Sequence, residues 1–239
     1  MQKHWVISDI HGCLFTLRSL IETKIKPTEN DELIFLGDYI DRGPESKGVI
    51  DYIMNLSNQG IQIVCLKGNH EEYILSAFEA EKTPKKILFW KKKNLVFEEW
   101  LHHGGTEAMK SFEIENISQI DQKYIEWFQN LQHYVIRGNY IIVHAGLNFA
   151  IDNPFEDTRA MLWTRDYEVI PEKIENRKII HGHVPISLDF ILESVQSGKY
   201  PFIDLDNGCV YKEKVGMGNL LAYEINTKEL LIQYNADVY

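Results

Sequence analysis

An α/β fold with a β-rich carboxyl-terminal tail is the fold class this sequence predicts, on three observations. Short apolar runs alternate with amphipathic segments in the first third of the chain. Five of the apolar runs lead into side chains able to bind a metal: Asp9 and His11, Asp38, Asn69, His144 and His183. Beyond Ile179-Ile180 the pattern becomes predominantly that of strands and hairpin turns.

Trp5-Val6-Ile7 is the first strand, and it runs into Ser8-Asp9-Ile10-His11-Gly12. Leu14, Leu17, Leu20 and Ile21 then recur at helical spacing, so residues 13–23 read as a helix that begins where the first ligands end. Leu33-Ile34-Phe35-Leu36 is a buried-strand run ending in Gly37-Asp38-Tyr39-Ile40-Asp41-Arg42-Gly43. A helical pattern follows through Val49, Ile50, Ile53, Met54 and Leu56. The third strand, residues 61–66, enters Gly68-Asn69-His70-Glu71 and a helix over residues 71–81. Strand, ligand loop and helix thus repeat, which puts the functional loops at the carboxyl ends of the strands.

Residues 82–117 break the rhythm. They carry Lys82, Lys85, Lys86, Lys91, Lys92 and Lys93, the aromatics Phe89, Trp90, Phe97 and Trp100, and a His102-His103-Gly104-Gly105 turn. A helical insertion partly covering the mouth of the site is expected here, unless the lysines form only a solvated helix face. Ile120, Tyr124, Ile125, Phe128 and Leu131 fit another amphipathic helix, opened by a cap-like Ser118-to-Asp121 spacing. After a strand at Tyr140–Val143 comes a long loop through Trp163, then Ile179-Ile180 and the β tail. In that tail Phe202-Ile203-Asp204-Leu205-Asp206 alternates, and Leu220–Ile225 and Leu230–Tyr234 flank a turn at Asn226-Thr227-Lys228-Glu229. No repeat or linker marks a second domain, so residues 1–239 are expected to form one.

With 44% apolar and 25% charged residues the chain has an ordinary globular composition, and no apolar run approaches the ~18 residues needed to span a bilayer. The amino terminus runs straight into the first strand, leaving no room for a secretory leader, so a cytoplasmic location is expected. Cys13, Cys65 and Cys209 form no closely spaced pair and read as small buried apolar residues. A net charge of -10 argues against a nucleic-acid polymer as partner, because phosphate backbones are held by lysine and arginine. It leaves room for a small phosphorylated substrate, since cations and a few arginines can make one cleft locally positive.

Asp, Asn and His without Cys make an oxygen and nitrogen donor set, which suits manganese, iron or zinc in a catalytic role better than a structural thiolate site. Six candidate ligands on one ion would leave no open position. Two divalent ions bridged by a carboxylate would share them and keep positions for solvent, so two metals is the economical count.

With Asp-x-His, Gly-Asp-x-x-Asp-Arg-Gly, Gly-Asn-His-Glu and two later histidines in chain order, the sequence resembles the phosphoprotein phosphatase branch of the calcineurin-like metallophosphoesterases over residues 5–211. The resemblance implies a four-layer fold, two mixed β-sheets packed together and flanked by helices. It implies that Asp9 and His11 bind the first metal, that Asp38 bridges, and that Asn69, His144 and His183 hold the second, with manganese foremost. Arg42 and Arg165 fall where the family clamps phosphate, a task suited to the bidentate guanidinium fork. His70 resembles the general acid, with Asp41 placed to hold its imidazole charged and oriented. His181, His102 and His103 lack such a role. The implied mechanism is attack of a metal-bridging hydroxide on the phosphoryl group, without a phosphoenzyme.

Ser8 stands where many relatives have glycine, Val184 where bacterial relatives often have threonine, and Lys67 where eukaryotic protein phosphatases have arginine. With the short chain, these departures point to the compact bacterial or phage-like type. Two activities share its motifs. Dephosphorylation of phosphoserine and phosphothreonine on proteins is the favoured expectation, and symmetrical cleavage of dinucleoside tetraphosphates is the alternative. A binding or scaffold module on the same fold is a third, against which all six ligands, both arginines and the acid speak.

Overall fold

The computed structural model describes residues 2–82 and 94–238. In chain order the elements are β1 His4–Ile7, α1 Leu14–Ser19, β2 Glu32–Phe35, α2 Ser46–Asn58, β3 Gln62–Cys65, α3 Asn69–Lys82, α4 Leu95–Trp100, α5 Thr106–Ser111 and α6 Gln122–Gln129. They continue with β4 Tyr134–Arg137, β5 Tyr140–Val143, α7 Thr158–Trp163, β6 Lys178–His181, α8 Leu188–Ser197, β7 Phe202–Asp204, β8 Asn219–Glu224 and β9 Leu230–Tyr234.

The strands form two mixed sheets, ordered β3-β2-β1-β8-β9 and β4-β5-β6-β7. In the first, β1, β2 and β3 run parallel while β8 and β9 join antiparallel. In the second, β5, β6 and β7 are parallel and β4 is antiparallel. Unbroken apolar strands are what sheets covered on both faces require. Trp5 and Ile7 pack with Leu33 and Phe35 against the outer helices, whereas Val6, Ile34 and Leu36 point the other way. There they meet Ile142, Ile180 and Ile203 of the second sheet. Ile141, Val143 and Ile179 face outward again, onto Leu147, Phe149 and Met161. The period-two alternation therefore builds one apolar layer between the sheets and one on each outer side, the four-layer arrangement expected.

The strand-loop-helix units and the final hairpin lie where the sequence predicts them. Three elements go beyond it. The long loop contains α7, the β tail contains α8, and β4 precedes β5. The cap-like Ser118-to-Asp121 spacing does not open α6. Asp121 itself caps that helix by accepting from Lys123 N, while Asn116 and Gln119 cap a separate short turn, because Ile120 is extended and separates the two. Of the insertion, α4 and α5 are helical, whereas Lys85, Lys86, Phe89, Trp90 and Lys91 to Lys93 lie outside the described residues. No helix among the described residues is long and apolar enough to cross a membrane.

Candidate metal centre

The first-sheet ligands sit where β1, β2 and β3 end, and the backbone there is bent to present them. His11, Asp38, Asp41, Arg42 and His183 all have positive φ, between 47° and 76°. For residues with a Cβ this conformation is costly, and such strain gathers at functional sites. Glu71, in the first turn of α3, holds the β2 loop by accepting from the backbone N–H groups of Asp38, Tyr39 and Gly68, each at 2.9 Å. Gly68 has to be glycine, since a Cβ there would lie 2.1 Å from Asp38 Oδ1.

Asp38 lies at the middle of the cluster. Its carboxylate is 3.6 Å from His11 Nε2 through Oδ2 and 3.6 Å from His144 Nε2 through Oδ1. Donor atoms of His11, Asp38 and His70 form one compact group, and those of Asp38, His144 and His183 form a second, so the two share Asp38. Asn69 joins the second group, its Oδ1 lying 3.0 Å from His144 Nε2 and 2.9 Å from His183 Nδ1. Asp9 accepts from His183 N through Oδ2 at 2.9 Å, while its buried Oδ1 and the buried Nε2 of His183 have no partner among the described residues.

These donors fit divalent cations. His11 directs Nδ1 at the Ile40 carbonyl and presents Nε2 to Arg42 Nη1 at 2.6 Å, so Nε2 is an acceptor. His144 likewise directs Nδ1 at the Leu36 carbonyl, and its Nε2 lone pair faces the Asn69 side-chain oxygen as the amide is placed, an arrangement that a shared cation reconciles. Burial holds the imidazoles neutral, the form that ligates. It draws His11 well below the ordinary histidine value, and His144 and His183 down to about 3. The carboxylates are strained in the opposite sense. Burial, and then Asp206 and Asp38, push Asp9 far up, and burial pushes Asp206 up to about 7. So many buried acids in one place are compensated by cations or remain protonated.

Beside the ligands, His70 Nδ1 is 2.6 Å from Asp41 Oδ2, and the Trp100 indole N–H donates to the same carboxylate at 3.0 Å. Asp41 thus faces the imidazole it is expected to orient; burial lowers His70 to about 4 and raises Asp41 well above the carboxylate range. Arg42 is half-buried and bonded to His11, whereas Arg165 is exposed at the lip, near enough for its charge to lower His183. Among the departures, Ser8 is tolerated because its hydroxyl accepts from Leu221 N.

Sequence reasoning assigned no part to Trp100, Asp204 or Asp206. A signal existed for the acids. Asp204 and Asp206 follow at the carboxyl end of β7, and Asp204 is in register with His181 on parallel β6, where strand-end rules look for function. Trp100 comes from α4, far from Asp41 in sequence, and no local pattern announces that hydrogen bond.

Comparison with known proteins agrees with this geometry. The family described as Calcineurin-like phosphoesterase matches residues 3–215. The asymmetrical bis(5'-nucleosyl)-tetraphosphatase PrpE of Oceanobacillus iheyensis is 24% identical, with 95% of this chain and 90% of that protein covered. The symmetrical bis(5'-nucleosyl)-tetraphosphatase of Nitrosospira multiformis is 24% identical over 60% of this chain, and the match spans only 43% of its length. In fold, a serine/threonine phosphatase from Saccharomyces cerevisiae with similarity to human PP5 superposes with a TM-score of 0.62 at 17% identity, covering 99% of this chain and 81% of that one.

Proposed function

Because the chain belongs to the calcineurin-like phosphoesterase family, we propose that its buried cluster holds two divalent cations, manganese first, and hydrolyses a phosphoric anhydride of a dinucleoside tetraphosphate. The observation that carries the two-metal reading is that Asp38 is shared by two separate donor groups. Asp9 and His11 would hold one ion with Asp38, and Asn69, His144 and His183 the other. Bound there, the pair supplies a water of lowered pKa and positive charge for the phosphoryl oxygens.

The remaining steps belong to the chain. Arg42 and Arg165 bind the non-bridging oxygens of the phosphoryl group, whose charge spreads as the bond to the leaving oxygen breaks. Beside the negative phosphates of the substrate His70 takes up a proton despite its burial and delivers it from Nε2 to that oxygen, with Asp41 fixing Nδ1 and Trp100 fixing Asp41. The nucleotide that leaves has a terminal phosphate with a second pKa of about 6, so it needs this proton far less than a serine alkoxide would.

The sequence motifs alone put phosphoserine and phosphothreonine proteins first. The activities named for two relatives, one of them matched along nearly the whole chain, support the dinucleotide instead. The test is turnover of diadenosine tetraphosphate beside a phosphothreonine peptide by the manganese-reconstituted protein. The proposal expects kcat/KM for the dinucleotide to exceed that for the peptide by about 100-fold or more. ADP as sole product would identify symmetrical cleavage, and ATP with AMP asymmetrical cleavage. A ratio of similar size in favour of the peptide would return the protein to the phosphoprotein phosphatases.

A further inference from the structure

Adjoining the metal centre, at the carboxyl ends of β6 and β7, is a cavity of about 660 Å³. Its volume lies in the range of small-molecule sites, which run to about 300–1,000 Å³. The cavity opens beside the cluster, because Ala145 and Gly182, which line it, are the chain neighbours of His144 and His183, and Arg165 stands at its lip. A phosphate chain seated on the metals and Arg165 therefore has this space directly alongside.

Two features of the lining select the occupant. The first is a pair of aromatic rings in the lining, Phe190 of α8 and Phe202, with Phe202 tilted against the His181 ring at 5.5 Å and both braced from behind by Tyr200, edge-on to Phe190 at 5.4 Å and tilted against Phe202 at 5.9 Å. Such faces stack a flat ring and tolerate any heterocycle with a π-face. The second is polar capacity left over inside. Asp204 is 5% exposed; its Oδ1 accepts from Asp206 N at 2.9 Å, but Oδ2 is 4.0 Å from His181 Nδ1, too long for a hydrogen bond. The buried hydroxyl of Tyr167 has no partner among the described residues. An apolar peptide side chain entering here would leave both unpaired, which disfavours it, whereas the amino group of a heterocycle donates to an acceptor oxygen of Asp204.

We propose that this cavity receives one nucleobase of the substrate, stacked on the Phe190 ring with its amino edge toward Asp204. The inference rests on the dinucleotide reading above and assigns that substrate's base a subsite.

The test compares diadenosine tetraphosphate with inorganic tripolyphosphate, which carries no base, in the manganese-loaded protein and its Phe190→Ala variant. Loss of one stacking face is expected to raise KM for the dinucleotide about tenfold. Tripolyphosphate kinetics should stay within about twofold, and Phe190→Tyr should restore the wild-type KM. An unchanged dinucleotide KM in Phe190→Ala, or an equal rise for both substrates, would overturn the subsite. Should the variant fail to fold, the wild type answers alone. Diuridine tetraphosphate, whose smaller ring stacks less and turns carbonyls toward Asp204, should show a KM several-fold above the adenine compound, and equal values would overturn the proposal. If the wild type cleaves only the phosphopeptide, both readings fall; if it cleaves the dinucleotide and Phe190→Ala is silent, only the subsite does.

Discussion

His70 is the residue whose role most needs separating from metal binding, since it belongs to the same donor group as His11 and Asp38. It touches Asp41 through Nδ1, and its Nε2 is 3.9 Å from Asp38 Oδ2, on the fringe of the donor group it shares with His11. His70→Asn is expected to retain both metals by elemental analysis. It should lower the rate by ~10²–10⁴ on an alkyl phosphate ester, whose leaving group needs a proton, and by much less on a dinucleoside tetraphosphate or an activated aryl phosphate. An equal loss on all three substrates would remove His70 as the acid, and loss of a metal would make it a ligand. Asp41, Arg42 and the six candidate ligands stand out in the sequence because each lies in a short glycine-punctuated motif following a strand. Asp206 carried a strand-end signal, but its effect on Asp9 was not legible, since that arises only when β7 is brought across to β1, a non-local event that no spacing encodes.

At the scale of elements, two local devices carry the site and the sheets. Glu71 anchors the β2 loop from α3, and no other residue among those described accepts all three of the N–H groups it holds. Glu71→Gln keeps one acceptor oxygen and turns an amide N–H₂ toward donors, so it should cost about 1–3 kcal/mol in urea unfolding and weaken metal binding by loosening Asp38. Unchanged stability and metal affinity would mean the loop is held otherwise. The second device joins the two sheets. Arg137 at the end of β4 makes a bidentate contact with Glu32 of β2, Nε to Oε2 at 2.8 Å and Nη2 to Oε1 at 2.6 Å. Burial alone would raise Glu32, but the Arg137 and His4 hydrogen bonds outweigh it and hold the carboxyl below its ordinary value of 4.5. A depressed carboxylate contributes stability above its unfolded pKa and loses it as pH falls through the folded one. The wild type should thus shed stability as acid is added below about pH 4.5, and Glu32→Gln should lack that component, as denaturation curves across pH 6 to 3 would reveal. The long helices up to α6 and the strands other than β4 were legible from apolar period. Helix α8 was not, because after β6 the period-two reading of the tail passes over its Leu188, Ile191 and Leu192 spacing, and α7 is too short to show a period.

The whole molecule gathers five strand-end motifs into one cluster because two sheets stack face to face, with Val6, Ile34 and Leu36 on one side and Ile142, Ile180 and Ile203 on the other. Residue patterns alone reach an α/β chain; the stacking of two sheets rests on long-range pairing such as β1 with β8, which joins Val6 to Tyr223. That assembly concentrates Asp9, Asp38, Asp41, Asp204, Asp206 and Glu71 in the interior, all buried. Cations that bind only the folded chain should therefore raise its melting temperature, and a chelator should lower it in proportion to the free energy of metal binding. No shift on chelation, in protein shown to have lost its metal, would contradict a buried dinuclear centre. The bridge itself is tested by counting bound manganese in wild type and Asp38→Asn beside their turnover. The account predicts two ions per chain in the wild type, and in the variant a lost or weakened ion with less than about a tenth of the rate, because a neutral amide bridges two cations poorly. Full wild-type activity with one tightly bound ion, or an Asp38→Asn protein that keeps both ions and most of its rate, would contradict it.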